Sequence, residues 1–288
     1  MRACLVLCVA AALVGAARAD CDACLDGLCY RKHRLPENTG LPIGIDRTSN
    51  ILYYMNDISL QRCNLNTETC NTQKFINIMD VQGFTVDQRT GDVYIIHFIN
   101  YGIYKLDFDN MKIQSLLHKG MYDIAFKDKL YYSRGVPDGI FTFEEGQSQM
   151  VRGTEGYNIR RFIIDKNNDI FFEDYTNNKN VRLRRLSSGV LQDRTWDNSF
   201  SMTLDNEDNA VLVQPASRAV YRIINGQQIE IGAFNGSVYG TPLFDKDNNL
   251  IYSSGESEFS FLKKERYVHC SVSQDSRIIT ETASGSSQ

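Results

Sequence analysis

The residues with the clearest potential for chemistry are aromatic and basic side chains that precede the first strand of successive sequence repeats. Four of these six positions carry an aromatic ring, and the candidate ligand-binding residues are Tyr122, Tyr157, Asn158, Arg160, Phe200 and Tyr239. Aromatic rings stack on flat organic molecules, and a guanidinium can hold both oxygens of a carboxylate in one plane. The pattern therefore indicates a slot for a planar organic ligand, with Arg160 as the partner of a ligand carboxylate. Core packing explains any single ring equally well.

Familiar catalytic motifs are absent from the sequence. It contains no Gly-x-Ser-x-Gly elbow, no His-Glu-x-x-His pair and no glycine-rich phosphate loop. The four histidines fall at unrelated places in the repeat, at His33, His97, His118 and His269. We therefore expect no catalytic residue, no metal site and no cofactor apart from a bound ligand, and we expect that the protein is not an enzyme.

An internal repeat of about forty residues positions the candidate side chains. Each copy has an apolar run, a polar turn opened by Asp and a second apolar run, and the pattern is clearest from Gly83 to Ile96. The turn residues Asp46, Asp87, Asp165, Asp205 and Asp245 are separated by 41, 78, 40 and 40 residues, and the interval of 78 spans two units. Short apolar runs bounded by such turns predict strands joined in hairpins.

Six units of this kind predict an all-β fold, a six-bladed β-propeller with a disulfide-tethered closure, over residues 41–270. Residues 1–19 have the charge, short apolar run and small-residue cleavage site of a signal peptide. Residues 20–40 form a cysteine-rich N-terminal segment, and the polar residues 271–288 are expected to be a disordered tail. We expect a secreted, extracellular protein with no membrane partner.

The cysteines outside the leader are even in number, as is usual for disulfides in an oxidising compartment: Cys21, Cys24, Cys29, Cys63, Cys70 and Cys270. Cys63 and Cys70 flank a predicted hairpin, so they can face each other. A bridge from one of the three N-terminal cysteines to Cys270 would tether the first blade to the last. The sequence leaves open which of the three forms it.

The net charge and a glycosylation sequon bear on the possible partners and modifications of the protein. The net charge is −4 at pH 7, and the basic residues are dispersed along the chain, so we expect no nucleic-acid partner. The sequence gives no sign of self-association, and a monomer is expected. Asn235 begins the sequon Asn-Gly-Ser in a predicted loop, which makes it a candidate for glycosylation.

The order and spacing of several short motifs carry a family resemblance. They are Lys32-His33 before the stretch 40–46, then 50–54, 83–87, 101–107, 129–132 and 238–240, with a closing Cys270. With these motifs the chain resembles the ommochrome-binding proteins of insect haemolymph. The resemblance implies a secreted carrier of tryptophan-derived phenoxazinone pigments, which would bind at the mouth of the propeller channel.

Two other classes of propeller are alternatives. Calcium- or zinc-dependent lactonases of the gluconolactonase type hold one metal with Glu, Asn and Asp at channel-facing strand ends. Asn158 matches the Asn, but Gly40 and Phe200 stand at the places of the Glu and the Asp. Receptor-type propellers with Tyr-Trp-Thr-Asp repeats are echoed by residues 53–56. We therefore prefer a carrier to a hydrolase or a recognition module.

Overall fold

The computed structural model describes residues 21–33, 41–56, 59–67, 73–75, 78, 81–97, 102–118, 120–135, 138–176, 182–197, 201–253, 259–272 and 279–283. The predicted signal peptide lies outside these residues, as do Gly40, Cys70 and Phe200. The regular elements within the described residues are all β-strands.

The strands follow one another with short connections, as the repeat predicts. In chain order they are β1 (Ala23–Leu25), β2 (Leu28–His33), β3 (Leu41–Asp46), β4 (Ile51–Asn56), β5 (Ser59–Asn64), β6 (Gln73–Phe75), β7 (Val81–Val86), β8 (Val93–His97), β9 (Gly102–Asp107), β10 (Lys112–Leu117), β11 (Met121–Phe126), β12 (Leu130–Gly135), β13 (Asp138–Glu144), β14 (Gln147–Met150), β15 (Ile159–Ile164), β16 (Ile170–Asp174), β17 (Arg182–Ser187), β18 (Val190–Asp197), β19 (Ser201–Leu204), β20 (Ala210–Gln214), β21 (Ala219–Ile224), β22 (Gln227–Phe234), β23 (Tyr239–Phe244), β24 (Leu250–Ser253), β25 (Phe259–Val272) and β26 (Ile279–Ala283).

The hairpin turns form as the sequence predicts, because each turn Asp caps its own loop. The Asp165 carboxylate accepts hydrogen bonds from the backbone N–H groups of Asn167, at 2.8 Å, and of Asp169, at 2.9 Å. Asp205 and Asp245 make the same pair of bonds in their turns. These local bonds satisfy backbone donors that the hairpin leaves unpaired.

The strands form four separate four-stranded antiparallel blades and one ten-stranded sheet. The blades are β3–β6, β7–β10, β11–β14 and β15–β18, and the large sheet has the order β19-β20-β21-β22-β1-β2-β25-β24-β23, with β26 paired to β25. The arrangement is that of a propeller, but the prediction of six separate blades is wrong. The last two repeat units share one sheet because the N-terminal hairpin lies between them, with β1 paired to β22 and β2 paired to β25.

Disulfides fix this hairpin in place. Cys24 is bonded to Cys270 on β25, so the predicted tether between the chain ends is confirmed and its N-terminal member is now assigned. Cys21 is bonded to Cys29 within the hairpin. Cys63 is also disulfide-bonded, and Cys70, its predicted partner, lies outside the described residues.

The C-terminal segment differs from the disordered tail expected over 271–288. Strand β25 continues to Val272, and β26 pairs with its last five residues, from Val268 to Val272. The exposed edge of a long strand offers unpaired backbone groups, and these can order even a polar segment.

Packing between adjacent blades supplies the core. Between the third and fourth blades, for example, Ile140 of β13 packs in one buried cluster with Ile159, Phe162 and Phe172. Such clusters hold neighbouring sheets face to face, and they fix where the inner strands stand around the axis.

Candidate ligand-binding channel

The innermost strand of every repeat unit borders one central cavity of about 560 Å³. Most of its lining residues come from six strands, β3, β7, β11, β15, β19 and β23, and the others come from the turns that follow these strands. Cavities of roughly 300–1,000 Å³ are the size that encloses small organic ligands. The channel is therefore the candidate site.

Aromatic and aliphatic side chains form much of the channel wall. Phe84 is half-buried in it and packs against Tyr53, with ring centroids 5.1 Å apart. Phe126 stacks almost parallel on Tyr94, at 5.5 Å between centroids. Gly44 leaves the room that Phe84 occupies, because a Cβ atom there would lie 2.0 Å from the Phe84 ring. The wall can therefore hold a flat apolar ring system.

Within the part of the chain that the structure describes, the channel wall contains a cation without a direct partner. Arg161 lines the channel, and among the described residues its guanidinium makes no hydrogen bond or ion pair. It lies opposite Glu173 in the pairing of β15 with β16. An exposed guanidinium in a partly apolar cavity favours an anionic ligand group.

Two carboxyl groups lie near Arg161 and affect the electrostatic potential around its guanidinium. Asp123 lines the channel and accepts a hydrogen bond of 2.8 Å from the backbone N–H of Phe162. Burial raises the pKa of Asp123 to about 7 against the opposing effects of backbone hydrogen bonds and of Arg161. Burial also raises the pKa of Glu173, whose carboxylate accepts a hydrogen bond of 2.9 Å from Tyr175 Oη. Near neutral pH this part of the wall is therefore less negative than its sequence indicates.

Arg160, the predicted ligand partner, faces away from the channel. The pairing of β15 with β16 shifts between Ile159 and Arg161, so that Arg160 is the extra residue of a β-bulge. Its guanidinium lies over the rings of Tyr122, at 5.7 Å, and Tyr175, at 5.2 Å. Simple alternation along the strand fails at the bulge, and so Arg161 lines the channel instead.

The other predicted ligand-binding residues that the structure describes also lie away from the channel wall, and Phe200 lies outside the described residues. Tyr157 packs on Phe172, at 5.7 Å, and under the Arg184 guanidinium, at 4.9 Å, in the core between blades. Tyr239 is 56% exposed. Asn158 has a buried Oδ1 atom without a hydrogen-bond partner among the described residues. Tyr122 and Arg160 are therefore in contact, and Asn158 precedes β15 two residues before Arg160, but none of the three lines the cavity.

At the hairpin end of the channel, three charged residues that sequence reasoning missed come together. Arg47 and Lys127 both form ion pairs with Asp208, and the Lys127 Nζ to Asp208 Oδ2 distance is 3.4 Å. A weak signal existed in the sequence. Asp208 stands where the neighbouring turns have Asn168 and Asn248, and all three adopt positive φ angles near 60°.

The donor set for a lactonase-type metal is incomplete in the described part of the chain. No group of three or more His, Cys, Asp or Glu side chains there is arranged to hold a metal ion. Gly40 and Phe200, at the places of the other two ligands, lie outside the described residues. The expectation of no catalytic metal therefore stays a prediction.

Known proteins resemble this chain in fold but not in sequence. It matches no protein family and no curated protein. The WD40 β-propeller domain of Doa1 has 10% identity over 83% of this chain and 98% of that chain, with a TM-score of 0.56. The calcium-binding protein regucalcin of Agrobacterium tumefaciens has 12% identity over 78% and 89%, with a TM-score of 0.53. A gluconolactonase of Xanthomonas campestris has 11% identity over 88% and 97%, with a TM-score of 0.51. These likenesses show the propeller fold alone.

Among the described residues, no helix is long and apolar enough to cross a bilayer.

Proposed function

We propose that this protein is a secreted carrier that binds a planar aromatic anion in its central channel. The observation that carries the proposal is the cavity of about 560 Å³, in whose wall the Arg161 guanidinium makes no hydrogen bond or ion pair with the described residues. The family resemblance of the sequence motifs makes an ommochrome-type phenoxazinone pigment the favoured ligand. In this proposal the propeller has six blade units around the channel, and two of them belong to the ten-stranded sheet.

Ligand size and wall chemistry support this class of ligand. Aromatic stacking contributes about 0.5–1.5 kcal/mol per ring beyond simple burial, so a wall with Phe84 and Phe126 favours flat conjugated molecules. A charge-assisted hydrogen bond adds about 1.5–3 kcal/mol. Arg161 therefore selects an anion over a neutral ring of the same shape.

The two disulfide bonds support the proposed extracellular location of the protein. Disulfides persist in extracellular compartments and are rare in the cytosol. Cys24–Cys270 and Cys21–Cys29 are buried structural bridges, which fits a protein that circulates outside cells.

A dye titration with two adjacent arginines tests the proposal. Purified protein is titrated with resorufin, a fluorescent phenoxazinone, and with 1-pyrenesulfonate, a flat anion of fixed charge. We expect Arg161→Gln to weaken binding about tenfold or more, because a charged hydrogen bond is lost from the channel wall. Arg160→Gln is the matched control and should leave affinity unchanged. Failure of the native protein to bind either dye, or equal losses in the two variants, would refute the proposal.

The alternative function is that of a metal-dependent lactonase, and one observation favours it. The Asn158 Oδ1 atom is buried and has no hydrogen-bond partner among the described residues, and calcium ions are commonly ligated by such amide oxygens. The test measures hydrolysis of glucono-δ-lactone with calcium, zinc or manganese, before and after Asn158→Ala. The carrier proposal expects no turnover with any of the three ions. Turnover that depends on both the metal and Asn158 would replace it with the hydrolase.

A further inference from the structure

Asp208 is a meeting point of three repeat units that are not neighbours. Its carboxylate pairs with Arg47, in the turn after β3, and with Lys127, in the turn after β11. Asp208 itself lies in the turn after β19. Arg47 also donates a hydrogen bond to the backbone carbonyl of Asp205 in that turn.

The position of these contacts follows from the order of the inner strands. Around the channel, β23 lies between β3 and β19, since it contacts both, and β15 lies between β11 and β19 in the same way. Residues from three alternating units can meet at one carboxylate only where the units converge, which is across the channel. The two ion pairs therefore span the hairpin end of the cavity.

Hydrogen bonds between neighbouring turns support the rim of the channel on both sides of this carboxylate. Gln88 accepts from the Arg47 backbone N–H at 2.7 Å, and its own amide donates to the Ile45 carbonyl at 3.0 Å. The Lys166 N–H donates to the Asp208 carbonyl at 2.8 Å. Side chains at this rim are partly withdrawn from solvent, with 17% exposure for Arg47 and 22% for Lys127.

We propose that the channel is closed at its hairpin end by the bridge Arg47–Asp208–Lys127, so that the binding site is a well with a single mouth. The inference rests on the proposed function in taking the channel as the ligand site. Asp208 is the direct partner of both cations at the closed end, which keep a net charge of +1 with it, whereas Arg161, nearer the opposite end, makes no hydrogen bond or ion pair among the described residues and is the cation available to a ligand. A planar anion therefore enters with its ring system toward the bridge and keeps its anionic group at Arg161.

The bridge can be removed without disturbing the turn. Asp208 has a φ of +59°, and glycine adopts this conformation without steric strain. Asp208→Gly therefore deletes the carboxylate at small backbone cost. Asn168→Gly is the matched control, since Asn168 has a φ of +63° in the neighbouring turn and takes no part in the bridge. Leu204→Cys places a reporter thiol in the channel wall, next to the turn that carries Asp208.

The first measurement is the rate at which N-ethylmaleimide modifies Leu204→Cys, and it requires no ligand. Opening the end of the well next to the thiol should raise this rate about tenfold in the Asp208→Gly background, as expected when local access rather than chemistry limits reaction. The rate should stay unchanged in the Asn168→Gly background. No acceleration by Asp208→Gly, or equal acceleration by both glycines, would overturn the proposal.

The second measurement uses proteins without the Leu204→Cys substitution. It records the binding of 1-pyrenesulfonate by stopped-flow fluorescence. A second opening should raise the association rate of Asp208→Gly several-fold, and Kd should not rise, because Arg47 and Lys127 lose their carboxylate partner and attract the sulfonate. Unchanged rates would count against the single mouth. If no variant binds the dye, the carrier function fails, and the thiol rates still decide whether the bridge closes the channel.

Discussion

Cys24 and Cys270 are covalently joined across a separation of 246 residues, and this bond links the inserted N-terminal hairpin to β25. A cross-link restricts the unfolded chain more when the loop it closes is longer. On the chain-entropy model the stabilisation is about 5.5 kcal/mol for this loop and about 2.5 kcal/mol for the loop of 8 residues closed by Cys21–Cys29.

The first prediction compares the removal of these two bridges. The double variant Cys24→Ser, Cys270→Ser should lose about 3 kcal/mol more unfolding free energy than Cys21→Ser, Cys29→Ser, because its loop is far longer. Denaturant unfolding, followed by fluorescence, measures both. Equal losses would show that strain or local packing, rather than closure of the long loop, determines the contribution.

The second prediction concerns pH and Asp123. Its pKa is raised to about 7, so the carboxyl is mostly neutral below that pH and charged above it. A negative charge near Arg161 opposes an anionic ligand, and we expect the affinity for 1-pyrenesulfonate to rise several-fold as the pH falls through about 7. Asp123→Asn should bind tightly at every pH, because its amide is always neutral. A pH profile that is the same in both proteins would contradict this assignment.

The same shift affects stability with a defined sign. The folded state holds the Asp123 proton more tightly than the unfolded state, so this group lowers the unfolding free energy as pH rises from the ordinary Asp value towards about 7. Asp123→Asn should therefore be more stable than the native protein above that pH and lose the advantage in acid. Thermal melts across the range measure the difference.

The third prediction concerns the channel wall at Gly44. A methyl group there would overlap Phe84, so Gly44→Ala should displace the ring toward the cavity and destabilise the fold by about 1–3 kcal/mol. Dye affinity should fall because the cavity narrows. Gly236→Ala, with no atom within 4 Å of the added Cβ, is the control and should change neither property. Full dye affinity in Gly44→Ala would mean that the ligand does not contact this wall.

The fourth prediction separates core from surface among the aromatic residues. Phe172 is fully buried, and Phe172→Ala should cost about 3–5 kcal/mol of unfolding free energy. Tyr239→Ala removes a ring that is 56% exposed and outside the channel wall, so it should alter neither stability nor dye affinity appreciably. A tenfold loss of affinity in Tyr239→Ala would return the ligand to the site first expected from the sequence.

The repeat and its turns could be read from the sequence because the forces behind them are local. Asp165 bonds to backbone groups two and four residues away, and the same bonds recur after Asp205 and Asp245. Alternating apolar residues between such turns determine strands wherever they occur. The all-β propeller class was therefore predictable.

The sequence also indicated that the chain ends are tied together, but it could not choose the partner of Cys270. Cys21, Cys24 and Cys29 are equivalent by composition and spacing. The insertion of β1 beside β22 decides the pairing, because it brings Cys24 within reach of β25. The same insertion merges two repeat units into one sheet, which no local pattern in the chain encodes.

Which residues form the candidate site depends on the tertiary structure. Arg160 and Arg161 are chemically identical neighbours, and a one-residue bulge determines that Arg161 lines the channel. Arg47 and Asp208 are 161 residues apart, and they meet only because the ring of blades brings their turns together. Local sequence thus determined the strands and turns of this protein, whereas the channel depends on strand register and ring closure, which arise from contacts between distant residues.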